Sequence, residues 1–320
     1  MSPFLLTRTL PEDATGAALR ADVLHGLTRT PKTLPPKWFY DARGSELFEE
    51  ITALPEYYPT RAEREILRAR APEIASATGA RTLVELGSGS SEKTHLLLAA
   101  LPELASYVPV DVSESALRGA GESLAAERPG LDVHAMVADF TGGLTLPETP
   151  GPRLVAFLGG TIGNLLPAER SVFLASVRGL LAPGDALLLG TDLVKEEAVL
   201  VRAYDDAAGV TAAFNKNVLA VVNRELGADF DPDSFDHVAL WDAENEWIEM
   251  RLRARSPLTV KIPELDLVVR FAAGEEVRTE VSAKFRQGRV RSELSAARLE
   301  LTHWWTDTAG RFALSLATAV

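Results

Sequence analysis

The chain has 320 residues, of which 46% are hydrophobic and 24% are charged, and its formal net charge is -12. This composition is that of a folded globular protein, and the length suits one large domain plus a smaller one. The acidic charge disfavours nucleic acid as a partner, and the absence of cysteine excludes disulfides, thiolate metal sites and cysteine nucleophiles.

No segment predicts a membrane span, because the longest uncharged stretch, residues 154–168, is short and interrupted by glycines. The N-terminus lacks the basic and apolar segments of a secretory signal, so we expect a cytoplasmic protein. The five histidines are scattered without the spacing of metal ligands, and we predict no metal site.

The predicted elements begin with helical pieces and proline-rich turns in residues 1–62, overlapping an amphipathic helix at 61–78. Short apolar strands and helices then alternate as far as residue 189. The strands are predicted at 82–86, 107–110, 133–137, 154–158 and 186–189, and the helices at 93–101, 115–127 and 168–181. This alternation is typical of a parallel sheet with helices on both faces.

The pattern changes after Asp192. Residues 196–226 have a largely helical pattern. Residues 237–284 instead alternate in polarity, as in an antiparallel sheet with one solvated face. Strands are predicted there at 248–253, 265–271 and 277–285. The tail returns to core-like patterns, with a hairpin at 303–317, so the αβ domain is interrupted by an insertion.

A turn with two glycines, Gly87 and Gly89, follows the first strand of the alternating region. Glycines in such a turn let the backbone approach a ligand closely. Asp111 ends the next strand, where a carboxylate can bind ribose hydroxyls, and the third strand leads into Asp139 and Phe140, an acid and a ring suited to adenine. Together these features favour a nucleoside cofactor over a simple tight turn.

The same turn also bears on which nucleoside cofactor binds. Glu92 replaces the third glycine that a dinucleotide would require. S-adenosylmethionine has no pyrophosphate to bind, and its sulfonium cation attracts nearby carboxylates. The turn therefore favours S-adenosylmethionine and methyl transfer, with a nicotinamide cofactor as the second interpretation.

The fourth strand of the region opens into a glycine-rich loop that ends at Asn164. In open αβ sheets, ligands bind beyond the carboxyl ends of the strands, so Asn164 is expected at the mouth of the cofactor crevice. Its amide can donate and accept hydrogen bonds, which suits an amino acid head group. An asparagine that merely fills a loop turn is the alternative.

Further motifs extend beyond this region. They are PPKWFYD (35–41), GSELF (44–48), LPEYYPTR (54–61), YDDAAGVTAAFN (204–215), TEVSAKF (279–285) and HWWTD (303–307). With ELGSG (85–89) and GN (163–164), they resemble the histidine-specific methyltransferases of ergothioneine biosynthesis, which make hercynine, the α-N-trimethyl betaine of histidine. The resemblance spans nearly all of the chain after about the first twenty residues, and several motifs lie outside a generic methyltransferase core.

The resemblance implies a fold and a domain organisation. The fold is α/β, with a Rossmann-type (class I) S-adenosylmethionine methyltransferase domain formed by residues 63–192 and 285–320. A second, α+β domain binds the substrate and consists of the N-terminal segment, residues 1–62, and the insertion, residues 193–284. The family also favours a monomer that acts on free L-histidine.

The resemblance further implies roles for individual residues. The residues expected to bind the histidine carboxylate and amine are Tyr57, Asn164 and Tyr204, with Gly159 and Tyr40 near the amine and Phe48 lining the pocket. Glu280 and Ser282 are expected to bind the imidazole, with Met250 beside it. The candidate catalytic residues are Tyr40, Tyr57, Asn164 and Tyr204. The residues expected to bind the cofactor are Gly87, Lys93, Asp111, Asp139 and Phe140.

The strand pattern supports part of this assignment independently. Glu280 and Ser282 are two positions apart, so both side chains leave the same face of a strand, where a carboxylate and a hydroxyl can satisfy both nitrogens of an imidazole. A lone glutamate on a strand is more commonly solvated, and Met250, which alternates with Ile248 and Leu252, has the pattern of a core residue.

Three alternative functions differ from histidine methylation. The same fold could methylate another free amino acid, such as tryptophan or tyrosine. A nicotinamide oxidoreductase conflicts with the missing third glycine, and a silent cofactor-binding scaffold conflicts with the polar residues predicted at the cleft. For a methyltransferase we expect tyrosine hydroxyls or water, rather than a strong general base, to carry the amine proton away.

Overall fold

The computed structural model describes residues 4–11, 13–89, 93–140 and 143–320. Its strands and helices follow in chain order as β1 (Phe4–Arg8), α1 (Ala14–Thr28), β2 (Lys32–Thr33), α2 (Ala42–Ala53), α3 (Pro59–Thr78), β3 (Thr82–Leu86), α4 (Thr94–Ala100), β4 (Ser106–Asp111), α5 (Glu114–Glu127), β5 (Asp132–Val137), β6 (Arg153–Phe157), α6 (Pro167–Leu180), β7 (Ala186–Asp192), α7 (Glu197–Tyr204), α8 (Val210–Leu226), β8 (Phe235–Asp242), β9 (Trp247–Ala254), β10 (Leu258–Ile262), β11 (Leu267–Phe271), β12 (Glu276–Ala283), α9 (Gln287–Ala296), β13 (Leu299–Thr306) and β14 (Phe312–Ala319).

The first of two compact units comprises Met1–Pro11, Pro59–Val194 and Phe285–Val320. Its eight-stranded sheet has the order β1-β5-β4-β3-β6-β7-β14-β13. The first six strands in this order run parallel to one another, and β14 is antiparallel to both of its neighbours, β7 and β13. β3 and β7 are buried at every position, as expected for parallel strands covered on both faces. The predicted α/β fold with a parallel sheet is confirmed.

The strand order creates a crevice at the centre of this sheet. From β3 the chain builds outward through β4 and β5 and then crosses back to β6, on the other side of β3. Such a reversal separates the loops that follow the two neighbouring strands and leaves a ligand-binding crevice beyond their carboxyl ends. The loop after β3 and the loop after β6 therefore both border this crevice.

The N-terminal residues correct one predicted boundary. β1 pairs in parallel with β5, so Met1–Pro11 belong to the first unit rather than to a second domain formed by all of residues 1–62. Phe4 and Leu6 pack against Leu117 and the β5 residues Ala135 and Val137. Burying these apolar side chains holds β1 at the sheet edge, and this pairing between distant segments was not apparent from the local pattern.

The second unit comprises Glu12–Tyr58 and Lys195–Lys284. It contains a four-stranded sheet of order β2-β12-β9-β8, the β10-β11 hairpin and helices α1, α2, α7 and α8. The predicted helical stretch is interrupted after Tyr204. There Gly209 takes a φ of +74°, and the Asp206 carboxylate accepts hydrogen bonds from the amides of Val210 (3.0 Å) and Thr211 (2.7 Å), which starts a new helix.

A β-bulge changes the pairing of β12 with β9. Before the bulge Arg278 lies opposite Arg251, and after it Glu280 lies opposite Met250, which leaves Thr279 as the extra residue. A one-residue shift in a strand exchanges the two faces. Even-numbered residues of β12 therefore share a face with the charged side chains of β9 before the bulge, and with Met250 and Ile248 after it.

The bulge is held by a buried hydrogen bond. The Thr279 hydroxyl lies 2.6 Å from Oδ1 of Asn215 on α8, and both residues are buried. We expect Thr279→Val to lower the free energy of unfolding by about 1–3 kcal/mol, because the isosteric valine leaves a buried oxygen without its donor. Chemical denaturation followed by circular dichroism measures this change.

Thr259→Val provides the matched control, since Thr259 is an exposed residue of β10 in the same unit. Its free energy of unfolding should change by no more than about 0.5 kcal/mol. Equal effects of the two substitutions would show that the bulge does not depend on the Thr279–Asn215 hydrogen bond.

Candidate active site

The glycine turn after β3 has the backbone conformation that its sequence suggested. Gly87 and Gly89 have φ angles of +69° and +48°, which favour glycine. The Gly89 amide donates to Oδ2 of Asp111 (3.2 Å), and the other oxygen of Asp111 accepts from the amide of Ser113 (2.9 Å). Asp111, at the end of β4, thus lies directly against the turn. Glu92, on which the choice of cofactor partly depended, lies outside the described residues.

Asp139 and Phe140 follow β5 at the same edge of the sheet. A Cβ built on Gly87 would lie 3.7 Å from the Phe140 ring, so Phe140 and the glycine turn are neighbours. The ring packs edge-on against Phe157 and Phe173, at centroid distances of 5.5 and 6.2 Å, and Asp139 is exposed. The structure therefore brings Gly87, Asp111 and Phe140 together, as predicted, although their roles remain predictions.

Lys93 is fixed by a carboxylate that the sequence analysis did not single out. Its ammonium lies 2.5 Å from Oε2 of Glu63 on α3, and Oε1 of Glu63 accepts a hydrogen bond from the amide of Gly159 (2.8 Å). Glu63 is fully buried. One side chain therefore links a predicted cofactor residue to a predicted substrate residue within the first unit.

The sequence did contain an indication of Glu63. It precedes Ile66 by three positions and Leu67 by four, so it lies on the apolar stripe of α3 rather than on its solvated face. A charged residue on such a stripe is buried only when it is paired and hydrogen-bonded. A Cβ at position 190 would come within 2.4 Å of the Glu63 carboxylate, so the glycine there leaves room for this buried side chain.

Glu85 is a second buried carboxylate near the turn. Its Oε2 accepts hydrogen bonds from Thr94 Oγ1 and Tyr107 Oη, both at 2.6 Å. Burial raises the pKa of Glu85 to about 6, although the two hydrogen bonds and the positive charge of Lys93 oppose the shift. Glu85 anchors the end of β3, from which the glycine turn departs.

Gly159 and Asn164 follow β6 in the first unit. Gly159 and Gly160 have φ angles of +78° and +70°, and the chain then forms a short 3-10 turn over Thr161–Asn164. Asn164 is half-buried at the end of this turn. Both predicted residues therefore lie in the loop after β6, which borders the crevice beside β3.

The second unit gathers the predicted aromatic residues into a row. The Phe48 ring lies 5.5 Å from Tyr40 and 6.1 Å from Tyr57, and Tyr57 lies 6.4 Å from Tyr204, all in edge-on arrangements. Phe214 of α8 contacts Tyr40 and Phe48 from behind, at 5.4 and 6.0 Å. Residues from three separate chain segments thus form one aromatic wall with several hydroxyl groups.

Glu280, Ser282 and Met250 lie on one face of the sheet in this unit. Glu280 is directly opposite Met250, and Ser282 is opposite Ile248. Met250 and Ser282 are buried and Glu280 is half-buried, so this is not a solvated strand face. The hydroxyl of Ser282 lies 2.7 Å from that of Tyr204, which joins the predicted imidazole residues to the aromatic wall.

Electrostatic interactions connect Glu280 and Tyr204 to Tyr40. Although the residue is 49% exposed, the pKa of its phenol is raised, because burial of the hydroxyl disfavours the phenolate, and Glu280 and Tyr204 add to this effect. Tyr40 therefore stays protonated at neutral pH. The group contains one further residue without a predicted role, Lys284, whose buried ammonium donates to the hydroxyls of Tyr204 and Ser282.

The donor set in the first unit fits S-adenosylmethionine. Asp111 offers a carboxylate suited to ribose hydroxyls, Phe140 a ring for adenine, and Lys93 an ammonium suited to the methionyl carboxylate. Among the residues that the structure describes, no atom lies within 4 Å of a Cβ built on Gly89, so this part of the turn presents open backbone to a ligand. The residues present therefore suit this cofactor.

Within residues 4–11, 13–89, 93–140 and 143–320, no group of three or more histidine, cysteine, aspartate or glutamate side chains is arranged to hold a metal ion. In the same ranges, no helix combines the length and the apolar character needed to cross a bilayer.

The sheet order and the glycine turn define the class I S-adenosylmethionine-dependent methyltransferase fold. A solved S-adenosylmethionine-dependent methyltransferase from Clostridium acetobutylicum ATCC 824 aligns with 86% of this chain and 98% of its own, with a TM-score of 0.50 and 11% identity. At this identity the similarity concerns the fold alone.

Sequence comparison identifies the family. Residues 19–319 match the family described as "Histidine-specific methyltransferase, SAM-dependent", and the chain belongs to this family. A relative from Mycolicibacterium smegmatis, named histidine N-alpha-methyltransferase, is 59% identical over 98% of both chains. A relative of the same name from Mycobacterium tuberculosis is 58% identical over 96% of this chain and 97% of its own.

The pKa of Glu85 generates a prediction about stability and pH. Because the folded-state pKa of about 6 exceeds the ordinary value of 4.5, the folded protein loses stability as the pH rises through this window and Glu85 ionises. The Glu85→Gln variant lacks this loss and can keep both hydrogen bonds on one oxygen. Relative to the wild type, its free energy of unfolding should rise by roughly 2 kcal/mol between pH 4.5 and pH 7.

Urea denaturation of both proteins across this pH range measures the difference, in which the titration of other groups cancels. Glu103→Gln is the control for the loss of a carboxyl group, because Glu103 is exposed. A flat difference for Glu85→Gln would contradict the raised pKa.

Proposed function

We propose that the enzyme trimethylates the α-amino nitrogen of free L-histidine with S-adenosylmethionine as methyl donor. The product is hercynine, and the reaction is the first step of ergothioneine biosynthesis. Family membership and the names of the two mycobacterial relatives support this substrate. Within the site, the observation that carries the proposal is the pair of Glu280 and Ser282 on the same face as Met250.

The pair suits imidazole better than other aromatic rings. An imidazole has one N–H donor and one nitrogen lone pair, which a carboxylate and a hydroxyl can satisfy together. The indole of tryptophan has a single N–H and no ring lone pair, so it would leave the hydroxyl of the pair unsatisfied, which disfavours tryptophan. The phenol of tyrosine carries its donor and its acceptor on one oxygen outside the ring rather than on two ring atoms.

The remaining roles follow from the chemistry of the residues. When bound, S-adenosylmethionine supplies a methyl group on a sulfonium, which is already a good leaving group. The protein's main contribution is then alignment, which can lower a barrier by up to about 7–11 kcal/mol. We assign Gly87, Lys93, Asp111, Asp139 and Phe140 to the cofactor. We assign the amino acid's carboxylate and amine to Tyr57, Asn164 and Tyr204, with Gly159 and Tyr40 near the amine and Phe48 lining the pocket.

The amine must lose a proton before each transfer. Tyr40 is a protonated hydroxyl at neutral pH, and it can accept a proton only while it passes its own onward. We therefore propose that tyrosine hydroxyls, with water, relay the proton rather than hold it as a base. We also propose a cytoplasmic monomer, which the family resemblance supports.

Mass spectrometry of L-histidine incubated with the enzyme and S-adenosylmethionine tests the proposed reaction. We expect the trimethylated amino acid as the final product, and little or no product from tryptophan or tyrosine under the same conditions. Accumulation of monomethylhistidine alone, in excess cofactor, would contradict the repeated transfer. Methylation of tryptophan in preference to histidine would overturn the substrate.

Substitution of Glu280 tests the recognition of the ring. Glu280→Ala should lower kcat/KM for histidine by roughly 10- to 100-fold, which corresponds to the loss of a charge-assisted hydrogen bond of about 1.5–3 kcal/mol. The preference over tryptophan should fall at the same time. Steady-state kinetics with both amino acids measure these changes.

The matched control is Glu276→Ala. Glu276 lies on the same strand before the bulge, where its carboxylate binds Arg251 and Arg253 on the charged face. This variant should keep the KM for histidine. An unchanged kcat/KM in Glu280→Ala would remove Glu280 from the proposed site.

A further inference from the structure

Lys284 follows the last residue of β12, and its side chain is completely buried. Its ammonium lies 2.9 Å from Tyr204 Oη and 2.9 Å from Ser282 Oγ, and 4.6 Å from the centre of the Tyr204 ring. The two hydroxyls are themselves 2.7 Å apart. These three side chains, which we call the hydroxyl triangle, all belong to the second unit.

The protons in the hydroxyl triangle can be assigned from its chemistry. An ammonium has three donors and no lone pair, so both hydroxyl oxygens accept hydrogen bonds from Lys284. One of the two hydroxyls must then donate to the other across the 2.7 Å contact. The triangle thus uses one hydroxyl proton internally and directs the other outward. A phenol is the stronger donor and an aliphatic hydroxyl the stronger acceptor, so Tyr204 donates to Ser282. Lys284 and Tyr204 then occupy both lone pairs of the Ser282 oxygen, and the outward proton belongs to Ser282.

The cost of burying Lys284 indicates that its charge has a role. An ammonium removed from water loses several kcal/mol of solvation, and an apolar side chain of similar volume is often equally compatible with folding. The aliphatic part of the chain and the Tyr204 ring could pack without the charge. A methionine at this position would fill a similar volume, but it would supply no hydrogen-bond donor to the two hydroxyl oxygen atoms.

We propose that Lys284 is a positioning residue that sets the hydrogen-bond polarity of the imidazole site. It makes Ser282 the donor to the unprotonated ring nitrogen, while Glu280 accepts from the ring N–H. The site then selects a ring that has both a lone pair and an N–H in one orientation. This inference rests on the proposed function, because it assigns Ser282 and Glu280 to the ring of histidine.

Two histidine analogues, each lacking one hydrogen-bonding group of the ring, test this hydrogen-bond polarity. Pyrrol-2-ylalanine keeps a ring N–H but lacks the lone pair, so the outward proton of Ser282 would meet a C–H. Thiazol-5-ylalanine keeps a nitrogen lone pair at the ring position where pyrrol-2-ylalanine has this C–H, but it has sulfur in place of the N–H that Glu280 requires. Isothermal titration calorimetry with S-adenosylhomocysteine present gives the Kd of each analogue and of histidine.

In the wild type we expect pyrrol-2-ylalanine to bind at least about tenfold more weakly than histidine, because a buried donor is left unsatisfied. In Lys284→Met the hydroxyls can reorient, so this ratio should fall to roughly threefold or less. The penalty for thiazol-5-ylalanine should remain, because Glu280 is unchanged. Lys261→Met, a substitution of an exposed lysine on β10, is the control and should keep the wild-type ratios.

Several outcomes would overturn the inference. Equal binding of pyrrol-2-ylalanine and histidine by the wild type would do so without any variant, even where Lys284→Met fails to fold. Equal weakening of histidine and pyrrol-2-ylalanine in Lys284→Met would reduce Lys284 to a structural residue. In both cases the wild type still methylates histidine, whereas a wild type that does not methylate histidine would overturn the proposed function as well.

Discussion

The site in the second unit depends on one extra residue in a strand. Without Thr279 as the bulged residue, Glu280 and Ser282 would lie on the face that carries Arg251 and Arg253, among ion pairs and solvent. The bulge transfers them to the face of Met250, where Ser282 meets Tyr204. Asn215 holds the bulge from α8 and also bonds to His237, so a buried polar network determines which side chains can meet a ligand.

Much of the fold could be predicted because its elements have strong local patterns. The alternating apolar strands of the first unit are buried on both faces, and each was predicted to within a few residues. The glycine turn could be recognised because Gly87 and Gly89 adopt positive φ angles that few other residues tolerate. Period-two spacing placed Glu280 and Ser282 together correctly, since that relation is internal to the strand.

Other features depend on contacts between distant segments and leave little trace in a local pattern. The face on which Glu280 lies depends on the register with β9, and β1 is defined by its pairing with β5. Helix α9 was not predicted, because its apolar stripe is weak, and its ion pair between Glu293 and Arg170 joins residues far apart in sequence. Glu63 and Lys284 are charged residues at buried positions, and only their partners explain why they are tolerated there.

The interrupted second unit has a consequence for how the chain is made. Its sheet pairs Lys32 and Thr33 with Val277 and Arg278, so the first segment of the unit has no partner strand until most of the protein has been translated. The apolar side chains of α1 and α2 are exposed in the nascent chain during that interval, when aggregation competes with folding. Ribosome-bound chains that end before β12 are therefore expected to need chaperones, and heterologous yield should depend on translation speed and temperature.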